Sequence, residues 1–265
     1  MHPKRMFVYL VSEDTGNHFT SDHFKLFSAS YPEIELTFLN NESALLDALP
    51  SVEWLDTWYF KREWFALAPR LQAVFTPAAG KDWVYEDPQH LIPTYYGKFH
   101  GTMIAESMLG LMLHFNRNMS EMLALQHKKI WDRNALQGST LLRNQSALIV
   151  GYGNIGRRCG QLLTGVGMSV SGYQRRHPGG FDPETGVKYI DDENLETSLG
   201  LADHIIDLLP GGDQTRYFMS RDLLAKIKPG AFFTISGAAQ RFRNRIYSGL
   251  WTQESSLARV SMSPK

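Results

Sequence analysis

The chain is 265 residues long, 43% hydrophobic and 20% charged, a globular composition with room for one large or two small domains, each with its own core. Its 27 basic and 27 acidic residues cancel, so no overall field draws nucleic acid or an anionic membrane. The single cysteine, Cys159, excludes an internal disulfide framework and fits a reducing compartment.

The opening MHPKRMFVYLV has a basic start, but its apolar run is too short for a signal peptide and passes straight into Ser12-Glu13-Asp14. No stretch is long enough to span a bilayer, so the expectation is a soluble, cytoplasmic protein. Met6–Val11, Ile34–Leu39 and Leu71–Thr76 are short β-branched or aromatic runs bounded by polar or proline breaks, and each predicts a strand. Helical spacing falls between them, over Asp22–Ser30 and Glu42–Leu49. Strand alternating with helix predicts a parallel sheet. A less regular stretch, 78–97, follows with Pro88 and Pro93 in it. From Thr102 to Met119 apolar residues recur at helical spacing, which predicts a helix joining two domains; its methionine stripe reads as packed core.

The second half repeats the alternation. Strands are predicted at Ala147–Val150, Met168–Tyr173, His204–Leu209 and Ala231–Ile235, and helices at Ile155–Thr164, Glu193–Leu199 and Arg221–Ile227. Lys228-Pro229-Gly230 stops a helix directly before a strand.

SALIVGYGNIGRRCGQLLTGVGMSVSGYQRR places Gly151, Gly153 and Gly156 in G-x-G-x-x-G spacing. The spacing alone is weak, because glycine is common, but here it follows an apolar strand, opens a helix and leads to a second strand. Gly151 permits a tight turn, Gly153 lets backbone N–H groups approach a pyrophosphate, and Gly156 lets helix and strand pack closely. The diphosphate then sits at the positive end of the helix, over Asn154 and Ile155. A purely structural glycine turn is the bland alternative. Where an NAD site presents a carboxylate to the ribose 2′-hydroxyl, this chain has Gln174, Arg175 and Arg176. A neutral amide and two guanidinium groups accept a 2′-phosphate that a carboxylate would repel. NADP is therefore the preferred cofactor, ahead of NAD, and a solvated basic turn is the competing reading.

The order of a small α/β domain, a linking helix containing Ala105-Glu106, the G-Y-G-N-I-G turn and ADHIIDLLPGGDQTRYFMSRDLLAKIKPGAFF resembles the D-isomer-specific 2-hydroxyacid dehydrogenases, which include glyoxylate and hydroxypyruvate reductases. The likeness covers roughly residues 6–233 and is strongest from Ser146 onward. The run Leu209-Pro210, Thr215 and K-P-G-A is more specific than the glycines alone. The resemblance implies an α/β fold with a flavodoxin-like substrate domain, 1–100, lacking its C-terminal return segment. It implies a Rossmann-type NAD(P)-binding domain, 101–235, with linking helix 102–119 and incomplete at its C-terminal end, and then an aberrant tail, 236–265.

Leu209, Pro210 and Thr215 join the cofactor set by this likeness. The loop TPAAGKDWV implies Ala79 and Gly80 at the substrate carboxylate; Lys81 adds charge there or is simply solvated. The implied chemistry is hydride transfer between a 2-hydroxy acid and its 2-keto acid. The implied partners are a small acid of the glyoxylate or hydroxypyruvate kind, no nucleic acid and no membrane. A homodimer is implied for the intact parent and is not extended to this chain.

Family members carry a catalytic Arg in an N-x-G-R-G segment after the K-P-G-A strand, then a Glu and a His. Aligning from Lys228-Pro229-Gly230-Ala231 puts Ala238 at the Arg position, and no later residue fits the Glu or His. All nine histidines, His2 to His204, lie upstream and read as surface or packing residues, as Glu106, Asp203 and Asp207 read as helix or sheet-edge residues. The catalytic set is thus empty, and no metal ligands are assigned.

A lost base near Phe233-Thr234 accounts for this. Joining the third base of each codon to the first two of the next, from Thr234 onward, permits N-[ILF]-G-R-G-P-A-V-S-E-P-D-L-L-R-A-L-D-T-G-V-L-A-G-A-G-L-D-V-T-E, the missing family segment. Degenerate codons leave choices at many positions. Trp251 with Thr252, however, forces Asp, and Met262 with a TCN serine at Ser263 gives Val. The expectation is an oxidoreductase lineage, truncated and frameshifted, inactive in this chain, whose tail supplies no further strand and leaves a sheet edge uncovered. Two other readings stay open: a non-catalytic dinucleotide- or partner-binding module, and another dehydrogenase family on the same fold.

Overall fold

The computed structural model describes residues 4–11, 21–81, 83–177, 179–211, 215, 217–235 and 259–262. Two compact units emerge, Met1–Lys98 and Phe99–Pro264.

The first unit is a five-stranded parallel sheet. Its strands are β1 (Lys4–Tyr9), β2 (Ile34–Phe38), β3 (Trp54–Thr57), β4 (Ala73–Thr76) and β5 (Thr94–Tyr96), in the order β2-β1-β3-β4-β5. That is the flavodoxin-like order. Alternation along β1 divides the core: Phe7 and Tyr9 join Leu55, Val74 and Trp64 on one face, and Met6 and Val8 meet the aromatic side chains of Phe24, Phe27 and Phe38 on the other. Helices α1 (Lys25–Ser30), α2 (Glu42–Ala48) and α3 (Trp64–Leu67) fill the crossovers, and Asn41 caps α2 by accepting the Ala44 amide at 2.8 Å.

The second unit is a six-stranded parallel sheet. Its strands are β6 (Ser146–Val150), β7 (Ser169–Tyr173), β8 (Lys188–Ile190), β9 (His204–Asp207), β10 (Phe232–Ile235) and β11 (Arg259–Met262), in the order β11-β10-β9-β6-β7-β8. Counted within the unit this is 3-2-1-4-5-6, the order of doubly wound dinucleotide folds, with the reversal between β6 and β9. Leu148 and Val150 turn to a core with Leu195, Leu199, Ile205 and Phe233. Ala147 and Ile149 turn to the other, with Ala105, Met108 and Met112 of α4 (His100–Asn116) and Cys159 and Leu163 of α6 (Asn154–Gly165). Both faces are covered, as a parallel sheet requires. The methionine stripe of α4 is core.

Three expectations are corrected. The linking helix stops at Asn116 instead of Met119, because Asn118 takes left-handed backbone (φ 50°) and its side-chain amide donates to the carbonyls of Ala135 and Gln137 before α5 (Met119–His127) begins. The irregular stretch contains β5, whose three residues are too few to show a period. The edge of β10 is paired: Phe232, Phe233, Thr234 and Ile235 align with Arg259, Val260, Ser261 and Met262. Parallel pairing draws on main-chain N–H and C=O groups, so four extended residues suffice without a longer apolar period. The rest of the tail, 236–258 and 263–265, lies outside the described residues, as does Ala238.

At the start of β9, His204 is 1% exposed, lies flat on Phe232 (5.0 Å, 12°) and has Nε2 2.9 Å from Gln145 Oε1. Burial pulls its pKa down to about 4. A histidine held neutral in the fold and ordinary when unfolded stabilises above pH 6.5, and that contribution disappears as pH falls toward 4. His204→Gln should therefore remove up to about 3 kcal/mol of the stability lost between pH 6.5 and 4; denaturant midpoints across that range test it, and an unchanged slope refutes it.

Candidate functional site

The glycine turn sits where the strand order reverses. Leaving β6, the chain takes left-handed backbone at Gly151 (φ 100°), and a Cβ there would lie 2.8 Å from Leu208 C and Leu209 N. Those residues continue β9 across the switch point. The turn is also hooked to β7, because the Gly151 and Tyr152 amides both donate to Tyr173 O, at 3.2 and 2.8 Å. Gly153 is exposed and precedes α6, and a Cβ on it would meet nothing within 4 Å. Gly156 is the reverse: its Cβ would press on Gly151 O at 2.7 Å and Ile149 Cγ2 at 3.3 Å. Thus Gly151 fits a turn, Gly156 a close contact and Gly153 an open approach.

Asn154, exposed, and Ile155, half-buried, form the first helical positions with Gly156. The leading amides of a helix have no intrahelical acceptor and carry partial positive charge, so this end can hold a phosphate. At the end of β7, Gln174 is half-buried and its amide donates to Ile190 O at 3.4 Å; Arg175 and Arg176 are exposed beyond it. The fold therefore gathers Gly151, Gly153, Asn154, Ile155, Gly156 and Leu209 at the turn and hangs the Gln174–Arg176 segment from the adjoining strand. The residues present fit a dinucleotide.

Other signature residues hold the scaffold. Thr215 Oγ1 donates to Pro210 O at 2.5 Å and closes the loop after β9, so this Thr braces the Leu209-Pro210 turn. Lys228 of K-P-G-A pairs with Asp203 at 2.6 Å, and Asp203 also accepts the Ser146 amide at 2.7 Å. That clamp lies at the starts of β6 and β9, away from the glycine turn.

In the first unit, Ala79 and Gly80 are half-buried bends after β4. The loop is braced by Gly97, whose amide donates to Thr76 O at 2.8 Å and Ala78 O at 3.1 Å, and whose Cβ would clash with Pro77 O at 2.2 Å. Lys81 is neither a free charge nor merely solvated. It pairs with Glu86 at 2.8 Å, the same oxygen that accepts Tyr96 OH at 2.9 Å, and the Lys81 hydrogen bond holds the Glu86 carboxyl below its usual range.

Sequence reasoning missed two features. Asp182, 0% exposed, accepts from Arg157 (2.8 Å), Tyr152 OH (3.3 Å), Tyr189 OH (3.3 Å) and the Glu184 amide (3.0 Å), which joins the glycine turn and α6 to the β7–β8 connection. Nothing in its local spacing signals burial. Asp207, read as a sheet-edge residue, is 3% exposed at the end of β9 beside Val150, accepts the Leu209 amide at 3.0 Å, and is pushed by burial up to about 6.

A doubly wound parallel sheet with an open glycine turn at its reversal defines a Rossmann-type dinucleotide-binding domain. Residues 109–238 match the family model described as "D-isomer specific 2-hydroxyacid dehydrogenase, NAD binding domain", so that segment is similar to the nucleotide-binding domain of this family. Hydroxypyruvate reductase from Thermotoga maritima is 31% identical over 127 residues, covering 48% of this chain and 39% of that protein, so the match spans about two fifths of the relative's length. Among solved structures, D-lactate dehydrogenase from Aquifex aeolicus, complexed with NAD and lactic acid, superposes with TM-score 0.74 at 15% identity, covering 98% of this chain and 76% of that one. An NADPH-dependent glyoxylate/hydroxypyruvate reductase from Sinorhizobium meliloti, complexed with NADP and sulfate, gives TM-score 0.70 at 20% identity, covering 98% and 88%. At such identities the structural likeness is one of fold. No helix among the described residues is long and apolar enough to cross a membrane.

Because burial raises the Asp207 carboxyl from 3.8 to about 6 in the fold, its contribution is present in acid and is lost as pH rises from 3.8 through about 6, above which the fold carries a buried charge. Asp207→Asn should stabilise the protein by up to about 3 kcal/mol at pH 7.5 and by nothing at pH 4. Equal shifts of the denaturation midpoint at both pH values would contradict this.

Proposed function

We propose that the chain binds a nicotinamide dinucleotide in the lineage of NAD(P)-dependent 2-hydroxyacid dehydrogenases, with NADP preferred over NAD and a small 2-keto or 2-hydroxy acid of the glyoxylate or hydroxypyruvate kind as the parent's substrate. The observation that carries the reading is the open Gly153 approach beside the Gly151–Leu209 contact at the strand reversal. Amides of Asn154, Ile155 and Gly156 take the diphosphate, and Arg175 and Arg176, with no carboxylate at Gln174, take a 2′-phosphate. When bound, the nicotinamide supplies or accepts the hydride. Ala79 and Gly80 offer backbone amides to the substrate carboxylate.

This chain binds and does not catalyse. A reductase needs a cation on the substrate carboxylate, and aligning from Lys228-Pro229-Gly230-Ala231 puts Ala238 at the family's Arg position. The tail instead encodes that segment one base out of step. The domains are 1–100 for the acid and 101–235 for the nucleotide. The competing view, a nucleotide-sensing module, has no observation in its favour beyond the missing catalytic set.

Titration of the 265-residue chain should show NADPH bound at least about tenfold more tightly than NADH, with no turnover of glyoxylate or hydroxypyruvate; equal affinities remove the NADP assignment, and turnover removes the inactivity. Restoring one base between codons 233 and 234 should yield a protein containing N-x-G-R-G that reduces those acids with NADPH. A coding sequence in which no single-base repair restores the motif defeats the displaced frame.

A further inference from the structure

Just past Arg176, the connection from β7 to β8 holds a histidine in a fixed pose. The His177 ring lies parallel to Tyr189, centroids 5.3 Å apart and planes 6° apart, and its Nδ1 accepts the Gly179 amide at 3.0 Å. With Nδ1 committed as acceptor, the neutral ring carries its proton on Nε2. Tyr189 is itself seated: its hydroxyl donates to the buried Asp182 at 3.3 Å and accepts Arg157 at 3.1 Å, and Arg157 pairs with Asp182 at 2.8 Å. Two contacts on the ring and two on the tyrosine beneath it exceed what a solvated surface histidine needs.

We propose that His177 is a third contact, with Arg175 and Arg176, for the 2′-phosphate of an adenine dinucleotide, and that Tyr189 is the positioning residue that holds it. The proposal rests on the NADP reading above. Its selectivity follows from chemistry: a ribose 2′-hydroxyl gains little from an added N–H donor beside two guanidinium groups, whereas a phosphate dianion gains a charge-assisted bond. Asp191 limits the gain, since Asn194 and, after it, His177 are among the groups that hold its carboxyl below the usual range. It is engaged elsewhere, accepting the Asn194 amide at 3.0 Å. The buried Asp182 also ties this loop to the pyrophosphate turn through Tyr152 and Arg157, so one network sets the spacing of both phosphate-binding elements.

The test compares NADPH with NADH, and adenosine 2′,5′-bisphosphate with 5′-AMP, on the 265-residue chain and its variants by equilibrium titration. His177→Ala should weaken NADPH and the bisphosphate about fivefold and leave NADH and 5′-AMP within about twofold. Tyr189→Leu, which removes the stack, should do the same. Tyr189→Phe, which keeps the ring, should retain the preference, an outcome that a general loss of packing would not produce. Ratios within one variant are insensitive to the fraction folded. If the unaltered chain does not favour NADPH, the NADP reading fails and the inference with it. If it does favour NADPH and His177→Ala keeps that preference, the inference alone is overturned.

Discussion

The second unit depends on one close approach: the main chain of Gly151 against that of Leu208 and Leu209. At 2.8 Å from a would-be Cβ, no side chain fits without pushing β9 away from β6, and those two strands are the pair across which the sheet reverses. The same residue bends the chain so that Gly153 faces open space and α6 begins with its amides free for an anion. A wider turn would displace the helix from the sheet, because Gly156 closes on Gly151 O from the other side. The site is therefore a property of backbone proximity, with little contribution from side-chain chemistry.

What surrounds the turn is organised by Tyr152, the variable residue of the G-x-G. It is fully buried, and its ring occupies the space over Gly172 and Gly160, where added Cβ atoms would lie 2.4 Å and 3.1 Å from it. Its hydroxyl reaches Thr185 at 2.6 Å and Asp182 at 3.3 Å. A buried carboxylate is costly unless it is paired and hydrogen-bonded, and Asp182 is both, through Arg157, two tyrosines and a backbone amide. The glycines of β7 and mid-α6 thus make room for an aromatic ring that locks the β7–β8 connection.

Much of this was legible in advance and for identifiable reasons. The long apolar runs at β1, β6 and β9 announced themselves because both faces are buried, and the glycine turn did so because its spacing encodes a backbone requirement. β3, β5 and β8 were missed since three or four residues carry no period. Asp182 and Asp207 were missed because their partners are distant in sequence: Asp182 meets Tyr152 thirty positions away, and Asp207 is enclosed by strands that only the sheet brings together. Motifs also promised too much locality. Lys228 and Thr215 belong to the recognised signature, and the fold uses both as braces, one for strand starts and one for a loop.

The tail shows the difference between what backbone and side chains demand. The structure pairs Val260, Ser261 and Met262 with β10. A sheet edge accepts a short extended segment of nearly any composition, since it recognises amides and carbonyls. Catalysis is not so tolerant. A carboxylate clamp needs a guanidinium held at one position, which main-chain pairing alone does not supply. A paired edge strand therefore speaks for architecture and not for chemistry, because the sheet asks only for extended backbone whereas a reacting centre asks for particular side chains.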